Sequence, residues 1–322
     1  MLNDVYAVAS PDTAFSPSMS FHIHTPLLLS RPLSVRLGKP VRLKMEALQP
    51  SGSFKLRGVG YACERYLEQG AKGFITSSGG NAGIAVAYCG RELGVPVTVV
   101  VPESTSARAR SLITLEGARL IVHGKSWAEA NEFALGAASP ETVFIHPFDD
   151  PLLWEGHATL VDEVAQAGCK PGAVILSVGG GGLLCGVLEG MTRNGWSDVP
   201  VIAVETAGAA CYAASIAAGK PVALAEIATV ATSLGARSPC QQAVDWASRH
   251  PIRSVVVTDD AAVGASLQFL QDHRVVVEPA CGVALAALNL DIPELDQASE
   301  LLVVVCGGAG TSAADLLGWM PS

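Results

Sequence analysis

The sequence has no apolar run approaching the roughly 20 residues that a membrane-crossing helix needs, so no membrane partner is expected. It has no basic segment followed by an apolar one near the N-terminus, so no secretory signal is expected. It has no basic cluster: 21 Lys and Arg against 30 Asp and Glu leave a net charge of −9. That balance argues against nucleic acid as a partner. Its eight cysteines (Cys63, Cys89, Cys169, Cys185, Cys211, Cys240, Cys281 and Cys306) form no C-x-x-C pair and no zinc spacing. A chain this long builds a core without disulfides, so the cysteines read as small buried apolar residues of a cytoplasmic protein. The histidines are dispersed, and the nearest pair, His22 and His24, has no Cys or carboxylate close by to complete a metal site. There is no internal repeat.

What is present is 322 residues, 49% of them apolar and only 16% charged. The length suits about two domains. The composition suits well-buried α/β layers and a buried subunit contact, so a homodimer is expected. Residues 1–20, rich in Ser, Pro, Ala and Asp, read as a loose tail. Residues 41–45 alternate as a strand, and a helix is predicted from Phe54 to about Gln69. From Gly73 to Ile145 the pattern reads β-α-β-α-β-α-β, with Gly94 and Gly117 as helix stops. This predicts a parallel sheet flanked by helices. Residues 147–151 (Pro-Phe-Asp-Asp-Pro) are turn-like and mark a boundary. A second α/β run then extends to the strand at 301–305. With short, right-handed crossovers, residues before about 55 belong with the second run. The expected domains are therefore 1–54 with 150–322, and an inserted 55–149.

Four stretches carry candidate chemistry. In Ser51-Gly52-Ser53-Phe54-Lys55, the serines can cap a helix whose first turn holds Lys55. The positive helix end disfavours the ammonium form, and a lysine of depressed pKa is a Schiff-base nucleophile. A surface lysine at a helix start is the plainer reading. Gly179-Gly180-Gly181-Gly182, followed by Leu183, separates a strand from a helix and suits a phosphate cradle. It is neither a Walker A loop nor G-x-G-x-x-G, since Leu184 and Cys185 stand where glycine would be required. A dinucleotide site stays open because Glu205 ends the next strand, and so does a purely structural turn. Ser77 to Gly83 suits a carboxylate or phosphate, with Asn81 able to donate to a phenolate oxygen; a helix cap is the alternative. Cys306-Gly307-Gly308-Ala309-Gly310 suits a flat ring lying on backbone, with Cys306 facing a ring nitrogen; a strand-end turn is the alternative.

Together, these stretches resemble the serine/threonine dehydratase family, the fold type II pyridoxal-phosphate enzymes. They resemble most the group of L-serine dehydratases and serine dehydratase-like proteins. The likeness includes Pro147 to Pro151, Trp154-Glu155-Gly156-His157 and Glu278-Pro279-Ala280-Cys281-Gly282, and runs from about Thr25 to Thr311. It implies an α/β fold of two open, mainly parallel twisted sheets flanked by helices, similar to the tryptophan synthase β chain. It implies elimination on L-serine or L-threonine. Lys55 would be the Schiff-base lysine and α-proton base, with Phe54 beside it. Gly179 to Gly182 and Leu183 would hold phosphate, Asn81 the 3′ oxygen, and Cys306 the pyridine nitrogen. Ser78, Gly79, Gly80, Asn81 and Ala82 would clasp the substrate carboxylate. Carbonyls near Gly179, Ala209, Leu234 and Ala236, beside Glu205, would hold a monovalent cation such as K+. A threonine-preferring dehydratase, a serine racemase, a β-replacement synthase and a weakly active binding protein share the scaffold. Two positions depart from the pattern. Gly79 replaces the alanine of liver-type enzymes, as in the dehydratase-like branch, and Gly310 stands where a polar residue is frequent.

Overall fold

The computed structural model describes residues 21–320. The expected tail at 1–20 lies outside them. The first part of the chain forms β1 (Leu27–Leu29), α1 (Arg31–Leu37), β2 (Val41–Lys44) and α2 (Lys55–Glu68). Then come β3 (Gly73–Thr76), α3 (Asn81–Leu93), β4 (Val97–Val101), α4 (Ala107–Leu115), β5 (Arg119–Val122), α5 (Trp127–Gly136) and β6 (Thr142–Phe144). The second run is α6 (Pro151–Gln166), β7 (Ala173–Ser177), α7 (Gly182–Arg193), β8 (Val201–Thr206), α8 (Cys211–Ala218), α9 (Gln241–Trp246) and β9 (Ile252–Val257). The chain closes with α10 (Asp259–His273), α11 (Pro279–Ala286), α12 (Pro293–Gln297), β10 (Leu301–Val304) and α13 (Ala313–Gly318).

Local signals explain most boundaries. Ser106, Ser126, Asp150 and Thr258 each accept an amide of the helix they precede. Gly94 ends α3 in the left-handed region, at φ 68°. The sequence pattern leaves β1, α1, α6 and α12 unassigned. The first two are short. α6 buries Leu153, Trp154, His157, Leu160, Val161 and Glu163, among others, so little of a polar face remains to reveal it.

Two sheets result, of order β1-β2-β10-β7-β8-β9 and β5-β4-β3-β6. Among the described residues, only the β1–β2 strand pairing is antiparallel. Strands β7, β8 and β10 are buried along their whole length, as central parallel strands covered on both faces must be. Strand order decides where the site forms. β2, β10 and β7 are parallel neighbours, so the loops leading to Lys55, Cys306 and the glycine turn leave the sheet side by side. β3 and β6 are neighbours in the other sheet, which pairs the Ser78 loop with the 146–150 strap. Helix α6 lies close against α2: a methyl on Gly156 would be 2.5 Å from the Arg57 carbonyl oxygen.

Candidate active site

Lys55 is the first residue of α2, but no serine caps that helix. The residue at its N-cap is Phe54, which makes no side-chain cap bond. The hydroxyls of Ser51 and Ser53 are buried with no partner among the described residues. The expected cap is therefore absent, and two donors are left over beside the lysine. The Ser53 backbone instead bridges to Gly307, and the Phe54 amide donates to the Cys306 carbonyl at 3.1 Å. These bonds tie the lysine segment to the loop after β10.

The Lys55 Nζ donates to the Pro147 carbonyl at 2.5 Å. Burial lowers its pKa to about 8, against the opposing pull of the Glu278 carboxylate. The depressed lysine predicted from the helix start is found, with loss of water as its main cause. Phe54 lies beside it, its ring 4.9 Å from that of His157.

The glycine turn runs from the end of β7 into α7. Gly181 has φ 94°, a conformation that side chains rarely adopt. At Gly180 a methyl would lie 2.4 Å from the Phe148 ring. Only glycine lets the backbone sit here, and the start of α7, with Leu183 in its first turn, offers unpaired amides of the kind that suit an anion.

Asn81 opens α3 and links the two sheets. Its Nδ2 donates to Glu278 Oε1 at 2.7 Å and to Ser233 Oγ at 3.3 Å, while Oδ1 accepts from the Ala309 amide at 3.3 Å. Those partners orient the amide: its donor edge faces the large sheet's loops. Ser78, Gly79 and Gly80 form the bend before α3, and Ala82 follows Asn81 in its first turn. The Ser78 hydroxyl accepts from the Gly80 amide at 3.3 Å. Cys306 is buried; a hydrogen bond with Cys281, together with burial, holds its thiol pKa well above the ordinary value. The thiol is therefore neutral.

The residues expected to hold a cation are brought together only in part. Gly179 touches Leu234, where a methyl would lie 2.9 Å from Cα. Ala209 ends a short 3-10 turn after β8, and the Ala236 amide donates to the Leu234 carbonyl at 2.8 Å. The Glu205 carboxylate is engaged by the start of α8, accepting from Tyr212 and Ala213 amides at 2.7 and 2.8 Å. Burial raises its pKa to about 7.

Sequence reasoning assigned no role to Glu278, Pro147 or Phe148, although it noted the segments that hold them. Glu278 occupies the N-cap of α11 without capping it and turns to Asn81 instead. Burial raises its pKa to about 7 despite bonds from Ser233 and Asn81 and the charge on Lys55. An acidic residue before Pro279 at a helix start was the available signal.

A lysine of lowered pKa, a glycine turn at a helix start, an oriented amide and a neutral thiol lie at the ends of β2, β3, β7 and β10. The residues present fit pyridoxal phosphate: each polar part of it has a partner of suitable chemistry. Comparison with known proteins agrees. The family model "Pyridoxal-phosphate dependent enzyme" matches residues 19–307. The chain is 47% identical over 306 residues to the human (Homo sapiens) L-serine dehydratase/L-threonine deaminase, covering 92% of this chain and 93% of that protein. It is equally similar, at 47% over 306 residues and with the same coverage, to the human serine dehydratase-like protein. Among solved structures, a fungal L-serine ammonia-lyase from Rhizomucor miehei superposes with a TM-score of 0.86 at 36% identity, covering 93% of this chain and 98% of that one. Among the described residues, no helix is long and apolar enough to cross a membrane. By sequence, by fold and by the chemistry gathered around Lys55, this chain belongs to the pyridoxal-phosphate-dependent enzyme family.

Proposed function

We propose that the protein is an ammonia-lyase that converts L-serine to pyruvate and ammonia, and L-threonine to 2-oxobutyrate and ammonia. The observation that carries this reading is Lys55, a lysine of lowered pKa across from a glycine-only anion turn. Names of the most similar relatives supply the substrate class.

In this reading, pyridoxal phosphate supplies a sink for the electrons of the Cα–H bond. Phe54 and Lys55 flank it, and Lys55 Nζ takes the α-proton. The amides of Gly179, Gly180, Gly181, Gly182 and Leu183 bind phosphate. Asn81 would donate to the 3′ oxygen in exchange for its longer bond to Ser233. The neutral Cys306 thiol would face the pyridine nitrogen and would not fix a full proton there. Ser78, Gly79, Gly80, Asn81 and Ala82 hold the substrate carboxylate. We assign a monovalent cation such as K+ to carbonyls of Gly179, Ala209, Leu234 and Ala236 beside Glu205; the close approach of Gly179 to Leu234 supports it. Residues 55–149 are taken as the small domain, 1–54 and 150–322 as the large one, and the protein as a cytoplasmic homodimer.

The test is a visible spectrum of the purified protein with pyridoxal phosphate, followed by L-serine and a pyruvate assay in the same cuvette. A lysine-bound cofactor band with pyruvate formation is expected. D-serine in place of pyruvate would mean a racemase, and a product formed only with a second nucleophile a synthase. A band that shifts with no product would mean a binding protein.

Gly79 enters the specificity argument through Thr105. A methyl at Gly79 would lie 2.8 Å from both Thr105 Cγ2 and Oγ1. Thr105 is β-branched and stiff at χ1, so Gly79→Ala shifts the substrate loop. Threonine, the bulkier substrate, loses more than serine: the serine-to-threonine ratio of kcat/KM rises about tenfold. Thr105→Ser in the same background restores it. Unchanged ratios would remove Gly79 from specificity.

A further inference from the structure

The strap from His146 to Asp150 connects the lysine to the glycine turn. At its head, His146 Nδ1 accepts two backbone amides, from Phe148 at 3.2 Å and from Asp149 at 2.7 Å. A ring nitrogen that accepts is unprotonated, so the imidazole is neutral with its proton on Nε2. Folded around that nitrogen, the strap turns the Pro147 carbonyl to Lys55 Nζ. It turns the Phe148 carbonyl to the Trp154 indole, which donates at 2.8 Å. It also lays the Phe148 ring into the space that only a glycine at 180 leaves free. At its foot, Asp150 caps α6 and accepts from the Tyr66 hydroxyl of α2 at 2.6 Å.

We propose that His146 is a positioning residue. Its neutral ring folds the strap that sets the Pro147 carbonyl against Lys55 and seats Phe148 in the glycine turn, so one nitrogen keeps lysine and phosphate cradle in register. The consequence for the cofactor rests on the pyridoxal-phosphate reading; the strap belongs to the free protein.

The surroundings of the ring agree. Phe144 of β6 and Phe148 flank it, with ring centroids 6.1 and 4.7 Å away. Lys55 from α2 is the charged group that acts on it. Burial first, then Lys55, lowers the His146 pKa from 6.5 to about 4. The sign follows from linkage. A released strap takes up a proton below pH 6.5 and the folded one only near 4, so the folded strap is favoured most above 6.5 and less as pH falls from there to about 4.

The experiment compares wild type with His146→Asn and His146→Leu. Asparagine can accept an amide through its side-chain oxygen and does not titrate; leucine cannot accept. Two quantities are read. One is the dissociation constant for pyridoxal phosphate at neutral pH. The other is the Trp154 fluorescence of the cofactor-free protein, titrated from neutral pH to about 4 and assigned with Trp154→Phe, beside far-UV circular dichroism of the same samples. Loss of a buried acceptor weakens binding in His146→Leu by about tenfold, while His146→Asn stays within about threefold of wild type. The Trp154 signal shifts with acid in wild type before the far-UV signal changes, and is flat in His146→Asn over that range. A shift of the same size in His146→Asn, a shift that merely tracks global unfolding, or a His146→Leu protein that binds as tightly as wild type would each overturn the proposal. Failure of wild type to bind pyridoxal phosphate would refute the cofactor reading, and the Trp154 titration would still decide the strap.

Discussion

Lys55→Ala lowers pyruvate production from L-serine by more than about a thousandfold, the scale of removing a positioned base and more. The loss is chemical rather than structural. Among the described residues Lys55 Nζ hydrogen-bonds the Pro147 carbonyl, and the residue sits at a helix start where alanine is tolerated. The variant therefore folds, and its denaturation midpoint stays close to wild type. It still gathers pyridoxal phosphate through the glycine turn, but borohydride no longer fixes the cofactor to the chain. Retention of normal turnover by the alanine variant would sink the assignment. The lowered pKa has its own consequence. Only the neutral amine attacks the cofactor aldehyde, so the rate of capture by cofactor-free protein rises with pH up to about 8 and levels above it. A rate that still climbed through pH 10 would mean that the lysine is solvated.

Arg57→Met destabilises the protein by about 3–5 kcal/mol, because it strands a buried charge. Two positions along α2 from Lys55, Arg57 points to the other side of the helix. There it donates to Glu46 Oε2 at 2.6 Å and Oε1 at 2.8 Å, and to Glu163 at 2.7 and 2.8 Å. All three side chains are buried, Arg57 and Glu46 completely. Burial opposes the arginine's charge, but Glu46 and Glu163 outweigh it and hold its pKa above the ordinary value. Glu163 also pairs with Lys44, whereas the hydrogen bonds left to Glu46 among the described residues would come from the neutral Thr25 and Gln49. The urea midpoint of Arg57→Met should therefore fall steeply, and adding Glu46→Leu should recover part of the loss. A midpoint within the noise of wild type would show that the cluster is solvated. Cofactor affinity falls with it, since the cluster clamps α2, β2 and α6 together behind Lys55.

The two predictions differ in how far they could be read from sequence. Lys55 is legible only in company: taken alone it reads more plainly as a surface lysine at a helix start, and the order of the glycine-rich loops that follow it carries the assignment. The glycine turn is more legible. Four glycines between a strand and a helix suit an anion, wherever the partners come from. Arg57 is not legible. Its acceptors lie 11 and 106 residues away, and a lone arginine in a helix usually faces water. Ser51 and Ser53 show the opposite error. Their spacing suits a cap, yet the backbone turns first, Phe54 takes the cap position, and both hydroxyls are left over.

Sequence alone determined the alternation of strands and helices, the break near Pro147 and three loops that leave strand ends, because periodicity, glycine and proline act within a few residues. It also carried the family likeness, which lies in the order of those loops. Tertiary structure decided which loops meet. Placing β10 between β2 and β7 brings Cys306 beside Lys55 and the glycine turn, and setting β3 beside β6 aligns Asn81 with the strap. It decided the partners as well: Glu278 for Asn81, Cys281 for Cys306, Thr105 for Gly79, and two amides for His146. Except for the strap, those partners come from distant parts of the chain. Strand order alone brings them within bonding distance, and burial then shifts their proton affinities in ways that residue type does not reveal.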